Sequence, residues 1–140
     1  MHDFAQLQEA FARVPVNRYL RLALRERTND RCAVCAEILP EYTQEHGVVH
    51  GALVTAFADT AAVWLFHPEL AEGHSMTSVE FKVNFLSPAF LDRGPLIAEA
   101  ALVRRGRRIG VAQADVRQRD ELILRGLFTY MFFQKSAPAV

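Results

Sequence analysis

The sequence predicts an α+β fold in which an antiparallel sheet of five or six strands wraps around one long central helix, with an extra helix at the N-terminus. An alanine-rich stretch from Gly51 to Phe66 is apolar on all sides, as a helix buried inside a domain must be. From Ser75 onward apolar and polar residues alternate, which is typical of strands. Short, charged segments separate the later strands and favour antiparallel hairpins.

Length and composition predict one domain that covers residues 1–140. A chain of 140 residues with 51% hydrophobic side chains can close a core without disulfides or metals. Its 16 basic and 16 acidic residues cancel, so no overall field draws in nucleic acid, and nucleic-acid binding is not expected. Arginine supplies 14 of the 16 cations and favours planar contacts with phosphate or carboxylate groups.

Residues 1–18 are predicted to form the N-terminal helix and a linker. Asp3 can cap the helix, and Pro15 ends the run of apolar residues that recur at helical spacing, namely Phe4, Leu7, Phe11 and Val14. A hairpin is expected next, with its turn at Asn29 and Asp30 and its strands at Leu20–Thr28 and Arg31–Leu39. The polar segment from Pro40 to Val49 then leads irregularly into the central helix.

The strand after the central helix is predicted to place alternate residues on opposite faces until Ser87-Pro88 ends it. One face carries Val79, Phe81, Val83 and Phe85, and the other carries Ser78, Glu80, Lys82 and Asn84. Three further strands follow, at Leu96–Val103, Arg108–Arg117 and Leu122–Phe133. Residues 136–140 read as a loose tail.

The last strand carries large apolar residues on both faces, as in L-F-T-Y-M-F-F. The central helix can cover only one of these faces. A second copy of the chain is therefore expected to cover part of the sheet, which predicts a homo-oligomer.

Two cysteines, Cys32 and Cys35, form a C-A-V-C spacing within a predicted strand. A zinc site would need two more ligands of suitable spacing, so we expect core thiols and no metal. Reduced thiols and an N-terminus without the pattern of a secretory signal predict a cytoplasmic protein. The longest nearly uncharged run contains His50 and Asp59, so it is expected to be buried in protein and not in a membrane.

Asp59 is the candidate for chemistry. It is the only Asp, Glu, Lys or Arg between His46 and Pro68. A carboxylate held against apolar surface has a raised pKa or is stabilised by donors, and functional sites use both conditions. The alternative is a structural aspartate, capped by Thr55 or Thr60 or paired across an interface.

The start of the central helix supplies the second element of the candidate site. Free backbone N–H groups at Gly51 can polarise a carbonyl or stabilise an oxyanion. His50 can contact a substrate there or simply cap the helix. Because eight residues separate Gly51 from Asp59, roughly 12 Å along the axis, one helix cannot bring both to one atom. Two antiparallel central helices could do so, with the site between subunits.

These residues resemble a known family. The run H-G-V-V-H-G-A-L-V-T-A-F-A-D-T-A is similar to the signature of hotdog-fold acyl-CoA thioesterases of the phenylacetate-pathway (PaaI-like) and 4-hydroxybenzoyl-CoA types. The resemblance extends from about Tyr19 to Phe133 and includes the segment V-E-F-K-V-N-F-L-S-P-A. It implies the hotdog fold, hydrolysis of a small, medium or aromatic acyl-CoA, and a tetramer built from dimers.

The resemblance also implies roles for particular residues. Asp59 falls on the catalytic carboxylate, which acts as nucleophile or as general base. Gly51 falls on the glycine whose N–H polarises the thioester carbonyl, and His50 on the motif histidine. Gln44 lies where other members place an asparagine or glutamine near the carbonyl or the attacking water, and Ser78 lies at a hydroxyl position that in some members helps to hold the water.

Two positions depart from the family pattern. Ala52 replaces a second glycine, and Val63 stands where the hydroxybenzoyl branch has threonine. The chain therefore mixes the two patterns, since Gln44 belongs to one and Ser78 to the other.

Coenzyme A enters as part of the substrate, and no cofactor is expected. Its phosphates would need cations, and four arginines are clustered on one predicted turn: Arg104, Arg105, Arg107 and Arg108. A solvated turn is the alternative reading of this cluster. For the whole protein, a non-catalytic acyl-CoA binding module is the alternative to the thioesterase, and an acyl-thioester hydratase or dehydratase is a third hypothesis.

Overall fold

The computed structural model describes residues 3–136 and confirms an antiparallel sheet around a central helix. The sheet has six strands in the order β1-β2-β4-β5-β6-β3, and every neighbouring pair is antiparallel. In chain order the elements are α1 (Phe4–Arg13), α2 (Pro15–Tyr19), β1 (Leu22–Arg27), β2 (Arg31–Ala36), α3 (Gly51–Phe66), β3 (His74–Phe85), β4 (Leu96–Arg105), β5 (Ile109–Gln118) and β6 (Glu121–Gln134).

Helix α3 begins and ends at the residues that the sequence predicted. Most of its residues from Val54 onward are buried, with Phe57, Ala58 and Ala61 at 0% exposure. The carbonyls at its C-terminal end are bound by two arginines. Arg27 donates from Nε to Trp64 O and from Nη2 to Leu65 O, both at 2.8 Å, and Arg105 donates to Leu65 O at 3.2 Å. These contacts satisfy carbonyls that a helix end leaves without partners.

The N-terminal segment packs on the outside of α3. Phe11 of α1 is 1% exposed and meets the Trp64 ring edge-on at 4.9 Å. Asp3 occupies the N-cap position of α1, but its side chain makes no capping hydrogen bond. The predicted linker is instead a second short helix, α2, because Pro15 is well suited to a first helical position.

Strand β3 lies at the edge of the sheet and pairs only with β6 among the described residues. A bulge between Ser78 and Glu80 breaks its regular alternation. The prediction that Ser78 shares a face with Glu80 is therefore wrong. Ser78 pairs with Tyr130, and because directly paired residues point to the same face, it lies on the side of the sheet that carries α3.

Both cysteines are buried and free, and burial raises the pKa of Cys32 to about 12, as expected of a core thiol. No helix in the range 3–136 is long and apolar enough to cross a membrane. The predicted loose tail lies outside the described residues, except for Ser136.

Candidate active site

Asp59 lies in the middle of α3 and is held by a tyrosine of β6. The hydroxyl of Tyr130 donates to Asp59 Oδ1 at 2.7 Å and also lies 3.3 Å from the backbone carbonyl of Asp59. Tyr130 is 1% exposed, whereas Asp59 is half-buried. The carboxylate is thus fixed from the sheet side.

Burial dominates the electrostatics of this pair. It raises the pKa of Asp59 above its ordinary value, and the hydrogen bond from Tyr130 opposes part of that rise. Burial also raises the pKa of Tyr130, which keeps its proton and remains the donor. The threonines that could have capped Asp59 do not do so, because Thr55 and Thr60 donate to the carbonyls of Gly51 and Ala56. Asp59 therefore does not fit the threonine-capped structural alternative.

Ser78 joins this group through the bulge in β3. As the partner of Tyr130 it is on the face that carries α3, and it is exposed at the sheet edge in the single chain. We use the name carboxylate cluster for Asp59, its hydrogen-bond donor Tyr130, and Ser78, the strand partner of Tyr130. Tyr130 was missed at the level of sequence. The available signal was that a buried tyrosine hydroxyl needs a partner and that α3 offers one carboxylate.

The second predicted element lies at the start of α3. His50 caps the helix, with its Nδ1 accepting from the N–H of Ala52 at 3.1 Å. The carbonyl of His50 accepts from Leu53 and Val54 at 3.0 and 3.3 Å. Within the described part of the chain, the N–H of Gly51 has no acceptor and is the donor left free at this end of the helix.

A groove of about 350 Å³ opens beside this free N–H group. Gln44 and Gly51 both line it, together with Val48, Val49, Val54, Phe85, Leu86, Ser87, Pro88, Ala89 and Ile123. A Cβ atom added at Gly51 would lie 3.1 Å from Cε1 of Phe85, so glycine permits the close approach of that ring. We call this region the helix-start groove.

Gln118 holds the wall of the helix-start groove and was also missed. Its side chain is buried at the end of β5 and makes three hydrogen bonds: it accepts from Phe90 N at 2.8 Å and donates to Phe90 O at 2.6 Å and Gly94 O at 2.8 Å. In the same loop, the carbonyl oxygen of Ala89 accepts a hydrogen bond from the N–H of Val49 at 2.9 Å. Gln118 therefore supports the two segments that meet just before α3.

The arginine turn lies at the other end of α3. Arg105 is engaged with the carbonyls of Leu65 and Asn29, each at 3.2 Å. Arg105 and Arg107 also line a cavity of about 240 Å³ with Phe66, His74 and Phe132. Arg104 and Arg108 are exposed on the same turn. In one subunit this turn is separated from Gly51 by nearly the whole length of the helix.

The predicted residues thus form two groups in one chain. Gln44, His50 and Gly51 lie at the helix start. Asp59 lies about 12 Å further along α3, and Ser78 lies on β3 beside Tyr130. Among residues 3–136 no group of three or more His, Cys, Asp or Glu side chains could hold a metal ion.

A six-stranded antiparallel sheet around one central helix, with a carboxylate on that helix and a free N–H group at its start, defines a hotdog-fold protein of the thioesterase class. Sequence comparison identifies the family. The profile of the Thioesterase superfamily matches residues 46–124, and the chain belongs to this family. The matched range includes α3, Asp59 and Gln118.

Solved structures of several bacterial proteins are similar to this chain. A thioesterase of Haemophilus influenzae has a TM-score of 0.86 at 20% identity, and the match covers 100% of this chain and 96% of the Haemophilus chain. A thioesterase family protein of Silicibacter pomeroyi has a TM-score of 0.83 at 28% identity, and the match covers 95% of this chain and 100% of the Silicibacter chain. A hypothetical thioesterase of Streptococcus pneumoniae, crystallised with coenzyme A, has a TM-score of 0.71 at 16% identity, with 83% and 88% covered.

One curated relative is similar in sequence. A protein of Halobacterium salinarum that is named as a candidate esterase is 33% identical over 82 residues. The match covers 57% of this chain and 52% of the relative, so the chain spans about half the length of the curated relative.

Proposed function

We propose that the protein is an acyl-CoA thioesterase that hydrolyses small, medium or aromatic acyl-CoA to the free acid and coenzyme A. The observation that carries the proposal is Asp59, a half-buried carboxylate on the central helix whose Oδ1 is bound by Tyr130. Membership of the thioesterase superfamily supports the reaction class, and the Streptococcus pneumoniae neighbour that holds coenzyme A supports the carrier.

The chemistry needs a carboxylate and one N–H donor. In the general-base route Asp59 takes a proton from water as the water oxygen adds to the thioester carbonyl. The Gly51 N–H stabilises the oxyanion, the C–S bond breaks, and the thiolate receives the proton from Asp59. In the nucleophile route Asp59 attacks the carbonyl itself, and the C–S bond breaks as the thiolate leaves. Water then hydrolyses the resulting anhydride to the free acid and the Asp59 carboxylate, and the proton released goes to the thiolate. Both routes yield one acid and one thiol from one thioester and one water.

A second copy of the chain would bring the two groups of residues together. Edge strand β3 is 12 residues long and leaves Val79, Phe81 and Phe85 at 57%, 49% and 57% exposure in the single chain. Such an edge favours pairing with another strand. We propose an antiparallel β3–β3 dimer, in which the helix-start groove of each subunit meets the carboxylate cluster of the other.

The positions along β3 specify the register of this dimer. Phe85 contacts Gly51, and Ser78 lies beside Tyr130 of the carboxylate cluster. Because the bulge adds Val79 as an extra residue to each strand, pairing Ser78 with Phe85 of the second copy places the two-fold axis at Lys82. This register sets each free helix-start N–H group near the partner's carboxylate.

Dimers could in turn associate through the outer face of the sheet, away from α3. Exposed apolar side chains lie there, among them Ile109 at 37%, Leu127 at 49% and Phe133 at 39%. A tetramer built from dimers is our proposal. Phe81→Glu should then give monomers without activity, whereas Leu127→Glu should give dimers that retain it, and sedimentation with thiol-release assays separates these outcomes.

The arginine turn is proposed to contact the phosphates of coenzyme A from the neighbouring subunit. In an antiparallel arrangement the C-terminal end of one α3 extends past the start of the other. Arg104, Arg107 and Arg108 are exposed there, while Arg105 donates to the carbonyls of Leu65 and Asn29. Arg107 is the most suitable of the four, because it also lines the adjoining cavity.

Release of free thiol from a panel of short, medium, long and aromatic acyl-CoAs tests the proposal. Asp59→Asn should lose most of the rate on any active substrate while remaining folded. Asp120→Asn is the matched control, since Asp120 is an exposed carboxylate at the β5–β6 turn and should behave as wild type. Thermal stabilisation by acyl-CoA without turnover would instead favour a binding module, and hydration of an enoyl-CoA without thiol release would favour a hydratase.

A further inference from the structure

Tyr130 contacts the candidate active site through its hydroxyl group. Its ring is fixed in the core, 5.7 Å from the ring of Phe66, and only its hydroxyl reaches Asp59. A hydroxyl has one proton to donate, and the 2.7 Å distance to Oδ1 is the better of its two acceptor distances. Tyr130 therefore fixes the orientation of the Asp59 carboxylate.

The second carboxylate oxygen remains open. Oδ2 of Asp59 accepts no hydrogen bond from the described residues. In that part of the chain, every buried side-chain nitrogen or oxygen has a hydrogen-bond partner. Because Oδ2 has no partner, it is not buried and reaches solvent. The two oxygens thus differ, because Oδ1 faces the sheet and Oδ2 faces the space that a substrate or a water could enter.

We infer that Tyr130 is a positioning residue, which holds Oδ1 of Asp59 so that Oδ2 is the oxygen that reacts. This inference rests on the proposed thioesterase function. Tyr130 does not touch the substrate and acts only through Asp59. The role applies to both routes, since Oδ2 is the atom that takes the proton of water or attacks the carbonyl.

The kinetic consequence is specific. The net free energy of one hydrogen bond to a charged group corresponds to a factor of about 10 to 100 in an equilibrium constant. Tyr130→Phe should lower kcat by about that factor. KM should stay within about twofold, because no substrate contact is lost. The acid limb of the kcat/KM profile should move to higher pH, since the lost hydrogen bond had favoured the ionised carboxylate.

Tyr42→Phe is the matched control. Tyr42 is also buried, and its hydroxyl lies 3.4 Å from the backbone carbonyl of Tyr19 and not near a carboxylate. This variant should keep the wild-type kcat and pH profile. Thermal unfolding of both variants at one protein concentration establishes that the comparison is made on folded protein.

A double-mutant cycle with Asp59→Asn decides whether Tyr130 acts through Asp59. Tyr130→Phe should cause no further loss in the Asp59→Asn background, since the group that it positions is already gone. The inference is overturned if Tyr130→Phe lowers the residual rate by the same factor in both backgrounds, or if kcat and the acid limb are unchanged in the single variant.

A spectroscopic measurement separates this inference from the proposed function. ¹³C NMR of the Asp59 carboxyl should show a higher titration midpoint in Tyr130→Phe than in the wild type, and an equal midpoint overturns the inference. If the wild type releases no thiol from any acyl-CoA, the proposed function fails, and the carboxyl titration still decides whether Tyr130 holds Asp59.

Discussion

The loop that forms the wall of the helix-start groove is held in part by one buried side chain, Gln118. Replacing Gln118 by Leu leaves an apolar side chain that is one bond shorter and removes hydrogen bonds to Phe90 N, Phe90 O and Gly94 O. Each bond contributes about 1 kcal/mol net, so the variant should lose about 3 kcal/mol of unfolding free energy. For a chain of this size the thermal midpoint should fall by about 10 °C.

Gln113 provides a control on the same strand. It is half-buried on β5 and makes no side-chain hydrogen bond with any described residue. Gln113→Leu should therefore change the unfolding free energy by less than about 0.5 kcal/mol. Calorimetry at one protein concentration measures both variants.

Gln118→Leu should also lower activity at temperatures below the melting temperature of the variant. The loop that Gln118 holds accepts the N–H of Val49 at Ala89 O, directly before His50 and Gly51. Loosening it should lower thiol release at 25 °C even where Gln118→Leu is fully folded. Equal thermal shifts in the Gln118 and Gln113 variants, or a loss below about 1 kcal/mol for Gln118→Leu, would refute the reasoning.

Three further predictions follow from the site. Because burial raises the pKa of Asp59, ionising this carboxyl costs more free energy in the folded chain than in the unfolded chain. Asp59→Asn should therefore raise the thermal midpoint at neutral pH, by a margin that shrinks as the pH falls through the folded pKa towards the ordinary value of about 4. Single turnover in H₂¹⁸O should leave Asp59 unlabelled if it is a general base, whereas label in its carboxylate, detected by peptide mass spectrometry, would establish the nucleophile route. Arg107→Ala should raise KM about twofold to fivefold for acyl-CoA but leave KM unchanged for an acyl thioester of N-acetylcysteamine, and an equal effect on both would exclude a phosphate contact.

Much of the architecture could be predicted because it follows from periodicity. The all-round apolar run from Gly51 to Phe66 allows only a buried helix, and the structure gives the same end residues. The hairpin turns after β1, β4 and β5 were marked by short polar or charged segments. The linker after α1 was the exception, since Pro15 both ends one helix and begins the next.

The side-chain partners within the site could not be read in the same way. A single bulged residue in β3 moves Ser78 to the other face of the sheet, and period-two alternation contains no sign of it. Tyr130 stands in a run of large apolar residues where either face is plausible. Gln118 precedes a charged turn, and only the folded chain shows which loop it meets.

The position of Asp59 and its cost to stability point to the same conclusion. A carboxylate at the middle of an apolar helix disfavours folding at neutral pH, and the Tyr130 hydroxyl compensates only part of that cost. An asparagine would accept the same hydrogen bond without a charge, and would be the better residue if the contact were structural.

The ionised oxygen that remains open at Oδ2 has a use only if something is brought to it. In one chain the nearest predicted partner for a carbonyl, the Gly51 N–H, is about 12 Å away along α3. In the proposed dimer, pairing at the exposed edge of β3 brings both groups together, and we therefore expect catalysis and assembly to depend on the same strand.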